Sequence, residues 1–177
     1  MEVLSPQWLH WLVAHAAQPS VGVAGAKLLF ADDTIQHAGM VVGLHGSCGH
    51  ALHQQPSHGA EYLGLASIDR NCSAVSGAAM DYRKSVFEGL GGFDEAFRVD
   101  YNDIDFCLRC IESNLRVVFA SQAVLYHFHN SSFERPHDDA SERELFQSRW
   151  PHLLKSDRYF PAEMLKQSLA SRSTEGS

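Results

Sequence analysis

The sequence predicts an α/β domain with a mixed β-sheet. Three observations carry that prediction. Residues 21–30 form an unbroken run of mostly small, apolar side chains, as expected for a strand covered on both faces. Ile104, Cys107, Leu108, Ile111 and Leu115 recur at helical spacing. The elements follow one another as helix, strands, helix, acidic helix, strand and helix.

Ser5-Pro6 reads as a helix cap with proline at the first helical position. Trp8, Leu9, Leu12, Val13 and Ala16 give that helix an apolar face, and Pro19 ends it. After the strand at 21–30, Ala31-Asp32-Asp33-Thr34 is a turn, because aspartate there bonds its own backbone. Residues 34–42 then return as the second strand of a hairpin. Residues 43–67 are rich in Gly, His, Ser and Gln without periodicity and read as a long functional or mobile loop. Residues 71–82 read as another buried strand, and 84–90 as a short helix stopped by Gly91-Gly92. Residues 103–113 form the acidic helix, capped by Asn114. Residues 116–120 and 123–127 are strand, and 145–154 helix. One domain is expected over residues 1–165, followed by a polar, frayed tail over 166–177.

Composition narrows the function classes. At 177 residues the chain is long enough for one real core. Its 45% hydrophobic and 20% charged content is ordinary globular usage. A net charge of −7 argues against nucleic-acid binding, which needs a basic stripe. No apolar run is long enough for a transmembrane segment, and no secretory signal is visible. Cys48, Cys72, Cys107 and Cys110 are few for a disulfide scaffold and predict free thiols in a reducing compartment. No glycine-rich phosphate loop occurs.

The chemistry-bearing residues concentrate at the acidic helix. Asp100, Asp103 and Asp105 gather at its start, where carboxylates cap free N–H groups and oppose the helix dipole. Beyond capping, Asp103 is the leading general base, able to take the proton of a hydroxyl that is becoming a nucleophile. Asp105 stands four residues before Arg109 and is expected to pair with it. Asp100 reads as a loop or capping acid. His127 and His129 alternate on an extended segment, so both imidazoles face one side. Such a pair either contributes to a divalent-metal site or makes ordinary hydrogen bonds. Cys48, His50, His53 and His58 are zinc-type ligands at a spacing that matches no zinc signature. Cys107 and Cys110, one helical turn apart, read as packing, and Trp8 and Trp11 as core and helix-surface aromatics.

An ordered series of segments carries a resemblance: residues 21–28, Thr34-Ile35-Gln36-His37-Ala38-Gly39, Ser76-Gly77-Ala78-Ala79-Met80, Gly91-Gly92-Phe93-Asp94-Glu95, residues 102–109, Tyr126-His127, and Arg149-Trp150 with residues 157–160. Together they resemble the family 2 glycosyltransferases, nearest to the rhamnosyltransferase-like enzymes of bacterial O-antigen and polysaccharide assembly. The resemblance implies a GT-A fold and inverting transfer from a nucleoside-diphosphate sugar donor to a saccharide or lipid-linked glycan acceptor. It implies Asp103 as catalytic base, with Asn102 where the family commonly has glutamate. It implies Gly92, Phe93 and Asp94 at the acceptor border, and His127 as a ligand to a metal or the diphosphate, with His129 beside it. Mg²⁺ or Mn²⁺ is the expected cofactor. The expected location is cytoplasmic, or peripheral at the inner face of the membrane.

Residue Met1 falls where the family's donor-metal motif should end. The expectation is therefore a partial GT-A fold whose N-terminal nucleotide-binding half is missing, with weak or no nucleotide-sugar binding in isolation. Two alternatives belong to other classes. One is a non-catalytic interaction module that self-associates as a homo-oligomer through an exposed sheet edge. The other is a zinc module built on residues 48–58.

Overall fold

A computed structural model describes residues 1–57, 64–128 and 139–160. The elements in chain order are β1 (Glu2–Val3), α1 (Trp8–Ala16), β2 (Val21–Leu29), β3 (Ile35–His37), β4 (Met40–Val42), β5 (Cys48–His50), β6 (Arg70–Asn71), β7 (Met80–Asp81), α2 (Lys84–Gly89), α3 (Asn102–Glu112), β8 (Arg116–Tyr126) and α4 (Ala140–Arg149). The α/β architecture with a mixed sheet agrees with the sequence expectation and is consistent with part of a nucleotide-sugar-transferase-like fold. His58, His129 and the tail at 166–177 lie outside the described residues.

The centre of the six-stranded sheet is the parallel pair β2 and β8. Short antiparallel strands flank it, with β1 and β6 on β8 and β3 and β7 on β2. All of β2 is buried, because its two faces meet different partners. Ala24, Ala26 and Leu28 pack with Leu12 and Ala16 of α1. Val23 and Leu29 join the larger core, which includes Ile104, Phe106, Cys107 and Leu108 of α3 and Phe146 of α4. Small residues let these layers approach. A Cβ on Gly25 would stand 2.3 Å from the Cβ of Val75. Gly25→Ala is therefore expected to cost about 1–3 kcal/mol by overpacking, read as a lower midpoint in urea unfolding.

Several sequence expectations are corrected. The first helix begins at Trp8, not at Pro6, and Ser5 contributes its carbonyl to the Trp8 N–H. Its buried stripe runs through Leu12 and Ala16, flanked by half-buried Trp8 and Trp11, while Leu9 and Val13 are 52% and 47% exposed. The strand expected over 34–42 breaks at Gly39 (φ +85°), so that β4 leaves the main sheet and pairs with β5. Residues 43–67 are accordingly not all loop. The strand expected over 71–82 is two short strands, β6 and β7, separated by a 3₁₀ turn at Gly77–Ala79 that Ser76 caps. The last helix runs from Ala140 to Arg149 ahead of Pro151, and the Asp139 carboxylate caps it by accepting from the Ser141 and Glu142 N–H groups.

The hairpin, the Gly91-Gly92 stop and the Asn114 cap follow the sequence. Asp32 accepts from the Thr34 amide and hydroxyl at 3.1 and 2.7 Å. Gly91, Gly92 and Asn114 all have positive φ. The four cysteines are free, and Cys107 and Cys110 are buried packing residues. A Cβ on Gly22 would meet the Cys110 Cβ at 2.8 Å, so this cysteine fills the space that a glycine in β2 leaves. Among the described residues no helix is long and apolar enough to cross a membrane.

Candidate functional site

Parallel strands β2 and β8 end side by side, and the His127 N–H continues their ladder by donating to the Leu29 carbonyl at 2.9 Å. Ligands in open α/β sheets bind beyond the carboxyl ends of such strands. A cleft of about 610 Å³ opens at that place. Phe30 and His127, which follow the ends of β2 and β8, line it. Residues 99–104 wall it at the start of α3, and Gln36, Met40, His50, His53 and Ser76 complete it.

Asp103 is held in this cleft by two backbone donors. Its Oδ2 accepts from Gly77 at 2.6 Å and its Oδ1 from Ile104 at 2.8 Å. Each carboxylate oxygen keeps a second lone pair for a ligand. Burial pushes the Asp103 carboxyl above its usual range, outweighing these hydrogen bonds, which pull it down, and neighbouring Asp100 adds to the rise. A carboxylate made more basic in this way is a better proton acceptor.

The approach to α3 is held from two sides. Glu142, 5% exposed, accepts from the backbone N–H groups of Arg98, Val99 and Asp100. Tyr101 takes φ +64°, a left-handed conformation costly for a bulky residue. Its ring stacks on Phe146 with centroids 4.8 Å apart, and its hydroxyl accepts from Ser47 at 2.9 Å. The Asp103 carboxylate is thus positioned by a strained but well-anchored turn.

Asp105 pairs with Arg109 as expected, at 2.8 Å, and does more. Fully buried, it also accepts from Arg149 at 3.0 Å and from the Trp150 indole N–H at 3.1 Å. Arg109 reaches on to the carbonyls of Leu90 and Gly92, and Arg149 to Asp94 at 2.7 Å. Gly92, Phe93 and Asp94 do not line the cleft. The first and last are tied to α3 and α4 through these guanidiniums, and Phe93, 38% exposed, packs against Tyr82, Phe87 and Phe106. The structure thus brings Asp103 and His127 to one cleft and sets the Gly92-Phe93-Asp94 turn apart from its lining.

Gln36, His50 and His53 line the cleft beside His127, and Gln36 carried no role from the sequence. Gln36 receives a hydrogen bond from His127 Nδ1 at 2.7 Å on its Oε1 and returns one from its Nε2 to the His127 carbonyl at 3.3 Å. His50 and His53, considered above as zinc ligands, lie in the cleft wall, and His37 stands behind them at 3.0 Å from His50. Gln36 and His37 belong to one of the segments that carry the resemblance, which was the available signal. The Asp32-Asp33 pair is a turn, as expected.

No protein-family model matches the chain. Over 133 residues it is 43% identical to the O-antigen biosynthesis protein RfbC of Myxococcus xanthus, a match that covers 75% of this chain and 10% of that protein. Over 144 residues it is 38% identical to the uncharacterized protein y4gI of Sinorhizobium fredii (strain NBRC 101917 / NGR234), covering 81% of this chain and 16% of that protein. Both relatives are far longer than this chain.

The donor set for a divalent metal is thin. Among the described residues no group of three His, Cys, Asp or Glu side chains could hold a metal ion. His50 Nδ1 is engaged by His37. Burial also pushes the thiols of Cys48, Cys72, Cys107 and Cys110 up, Cys72 to about 12, away from the thiolate form that metals bind. Among the described residues a divalent ion therefore finds no three-ligand protein cluster, and substrate phosphate oxygens or water would have to complete its shell.

Proposed function

We propose that this chain acts in glycan biosynthesis as the acceptor-side part of an inverting glycosyltransferase of family 2, with Asp103 as its catalytic base. The observation that carries the reading is Asp103 itself: a carboxylate of raised basicity, oriented by Gly77 and Ile104, in a cleft at the carboxyl ends of parallel strands. The identity to an O-antigen biosynthesis protein supports the glycan context. The ordered segments described above supply the enzyme family.

In this mechanism an acceptor saccharide lies in the cleft with one hydroxyl hydrogen-bonded to Asp103. The hydroxyl oxygen attacks the anomeric carbon of a nucleoside-diphosphate sugar from behind the leaving group. Asp103 takes the proton as the C–O bond forms, and the nucleoside diphosphate departs. In-line geometry with a single base gives inversion. His127, fixed by Gln36, serves the diphosphate side of the same cleft. Gly92, Phe93 and Asp94 support α3 through Arg109 and Arg149, and the exposed Phe93 ring meets an acceptor that extends past the cleft.

Incubation with uridine-, guanosine- and thymidine-diphosphate sugars and lipid-linked or free saccharide acceptors tests the reading. The chain is assayed alone and joined to a donor-binding segment. Transfer in the joined form that depends on Asp103 is the expected result. Absence of transfer across the donor panel, or transfer unchanged in Asp103→Asn, contradicts it.

A further inference from the structure

Two histidines of the cleft lining, His50 and His53, and His37 behind them have hydrogen bonds that place their ring protons. His37 is 1% exposed, and its Nε2 faces two backbone N–H groups, Gly39 and Ser76, each at 3.3 Å. An amide N–H only donates, so this Nε2 is the unprotonated nitrogen. Burial holds the His37 imidazole well below its ordinary pKa, reinforced by His50 and Arg70, so the ring is neutral and its one proton sits on Nδ1. That proton points at His50 Nδ1, 3.0 Å away. His50 Nδ1 must then be the acceptor, which leaves the His50 proton on Nε2. Burial and the neighbouring His53 lower His50 to about 4, so at neutral pH it too is uncharged.

His53 has the opposite arrangement. Its Nδ1 lies 3.1 Å from the Gln36 carbonyl oxygen, which only accepts, so Nδ1 carries the proton. With Nδ1 protonated, the uncharged form of the ring offers its lone pair at Nε2. The two rings stack at 5.8 Å between centroids with 28° between planes, and both line the cleft. Phe30 meets the His53 ring edge-on at 5.4 Å and adds an apolar surface beside them.

We propose that His50 and His53 form a diol-recognition subsite for the pyranose ring of the acceptor, with its polarity set by His37. The inference rests on the glycosyl-transfer reading for the identity of the ligand. One hydroxyl oxygen of a vicinal diol accepts from His50 Nε2–H, and its neighbour donates to His53 Nε2. The C–H face of the ring lies on Phe30. His37 is a positioning residue. By accepting from Ser76 it also steadies the backbone that leads to Gly77, the donor to Asp103. A site built to bond a hydroxyl discriminates strongly against analogues that lack it, so this pair selects which acceptor hydroxyls are tolerated.

Imidazole ¹H–¹⁵N correlation spectra of the ¹⁵N-labelled chain at neutral pH test the tautomers first. The expected pattern is the Nδ1–H form for His37 and His53 and the Nε2–H form for His50. His50 in the Nδ1–H form overturns the proposal. Titration with the methyl pyranosides of rhamnose, mannose, galactose and glucose, and with their 2- and 3-deoxy analogues, tests recognition. The expected result is that at least one glycoside shifts the Nε2 signals of His50 and His53. Removing either hydroxyl of its diol, or His50→Phe, is expected to weaken binding roughly tenfold, near the upper end for one lost hydrogen bond. His50→Gln, which keeps an N–H donor, is expected to recover part of the loss.

Glycosides that shift Phe30 and Asp103 but leave both histidines unmoved overturn the subsite while the saccharide cleft stands. Glycosides that shift nothing in the cleft overturn both. Pyranoside binding through the histidines in a protein without transferase activity upholds the subsite and removes the transfer reaction.

Discussion

Asp105→Ala is expected to destabilise the domain by about 3–5 kcal/mol, the range for removing one partner from a buried ionic network. This carboxylate is 0% exposed and receives Arg109, Arg149 and the Trp150 indole at once. Its loss leaves those donors facing one another in the core and unfastens three segments together: α3, α4 and the turn at 90–94. Urea unfolding followed by tryptophan fluorescence measures the effect, because Trp150 reports on the network directly. Asp94→Asn is the control. It touches the same Arg149, but its side chain is 35% exposed, and an exposed pair of this kind contributes about 1 kcal/mol or less. Equal losses in the two variants would show that burial is not what gives Asp105 its weight.

Asp103→Asn is expected to lower transfer by about 10²–10⁴-fold, the usual contribution of a general base, while the fold persists. The amide oxygen keeps the Gly77 bond and the variant gives up the Ile104 bond. The same substitution changes how stability depends on pH. Because burial raises the folded-state pKa above the ordinary 3.8, the folded protein holds this proton more tightly than the unfolded chain. Its contribution to stability is therefore greatest below the unfolded value and falls as pH rises through the folded value. Thermal melts of wild type and Asp103→Asn across the acid range are expected to show wild type losing stability relative to the variant as pH rises through that window. In the acid limb of kcat/KM, half-maximal activity is expected above the range of an ordinary carboxylate.

Much of this was legible because local patterns and tertiary contacts agree. Apart from Lys27, whose ammonium donates to the Ala66 carbonyl, the run at 21–29 consists of the small and apolar residues that suit two covered faces. The Gly91-Gly92 stop, the helical spacing of Ile104, Cys107 and Leu108, and the four-residue step from Asp105 to Arg109 are local and survive folding intact. What escaped the sequence was long-range. Arg149 and Trp150 lie more than forty residues from Asp105, and nothing in their own segment announces a buried carboxylate. The small residues of 71–82 have strand composition, but His37 and Asp103 engage the backbone at Ser76 and Gly77, where the capped 3₁₀ turn divides the segment. The last helix did carry a signal, Asp139 followed three residues later by Glu142. Here Asp139 caps the helix, but Glu142 turns away to hold the backbone of Arg98, Val99 and Asp100. His50 and His53 stood out only as zinc-type residues at a spacing that fits no zinc signature, because ligand type is visible in a sequence and tautomer is not.

The chemistry assigned to Asp103 is tested most directly by the anomeric configuration of the product. In a single turnover followed by ¹H NMR, the C1–H coupling or shift of the newly formed glycoside is compared with that of the nucleotide-sugar donor. One base and one in-line displacement predict complete inversion at the anomeric carbon. Retention would require a second displacement or a front-face reaction and would contradict Asp103 as the sole base.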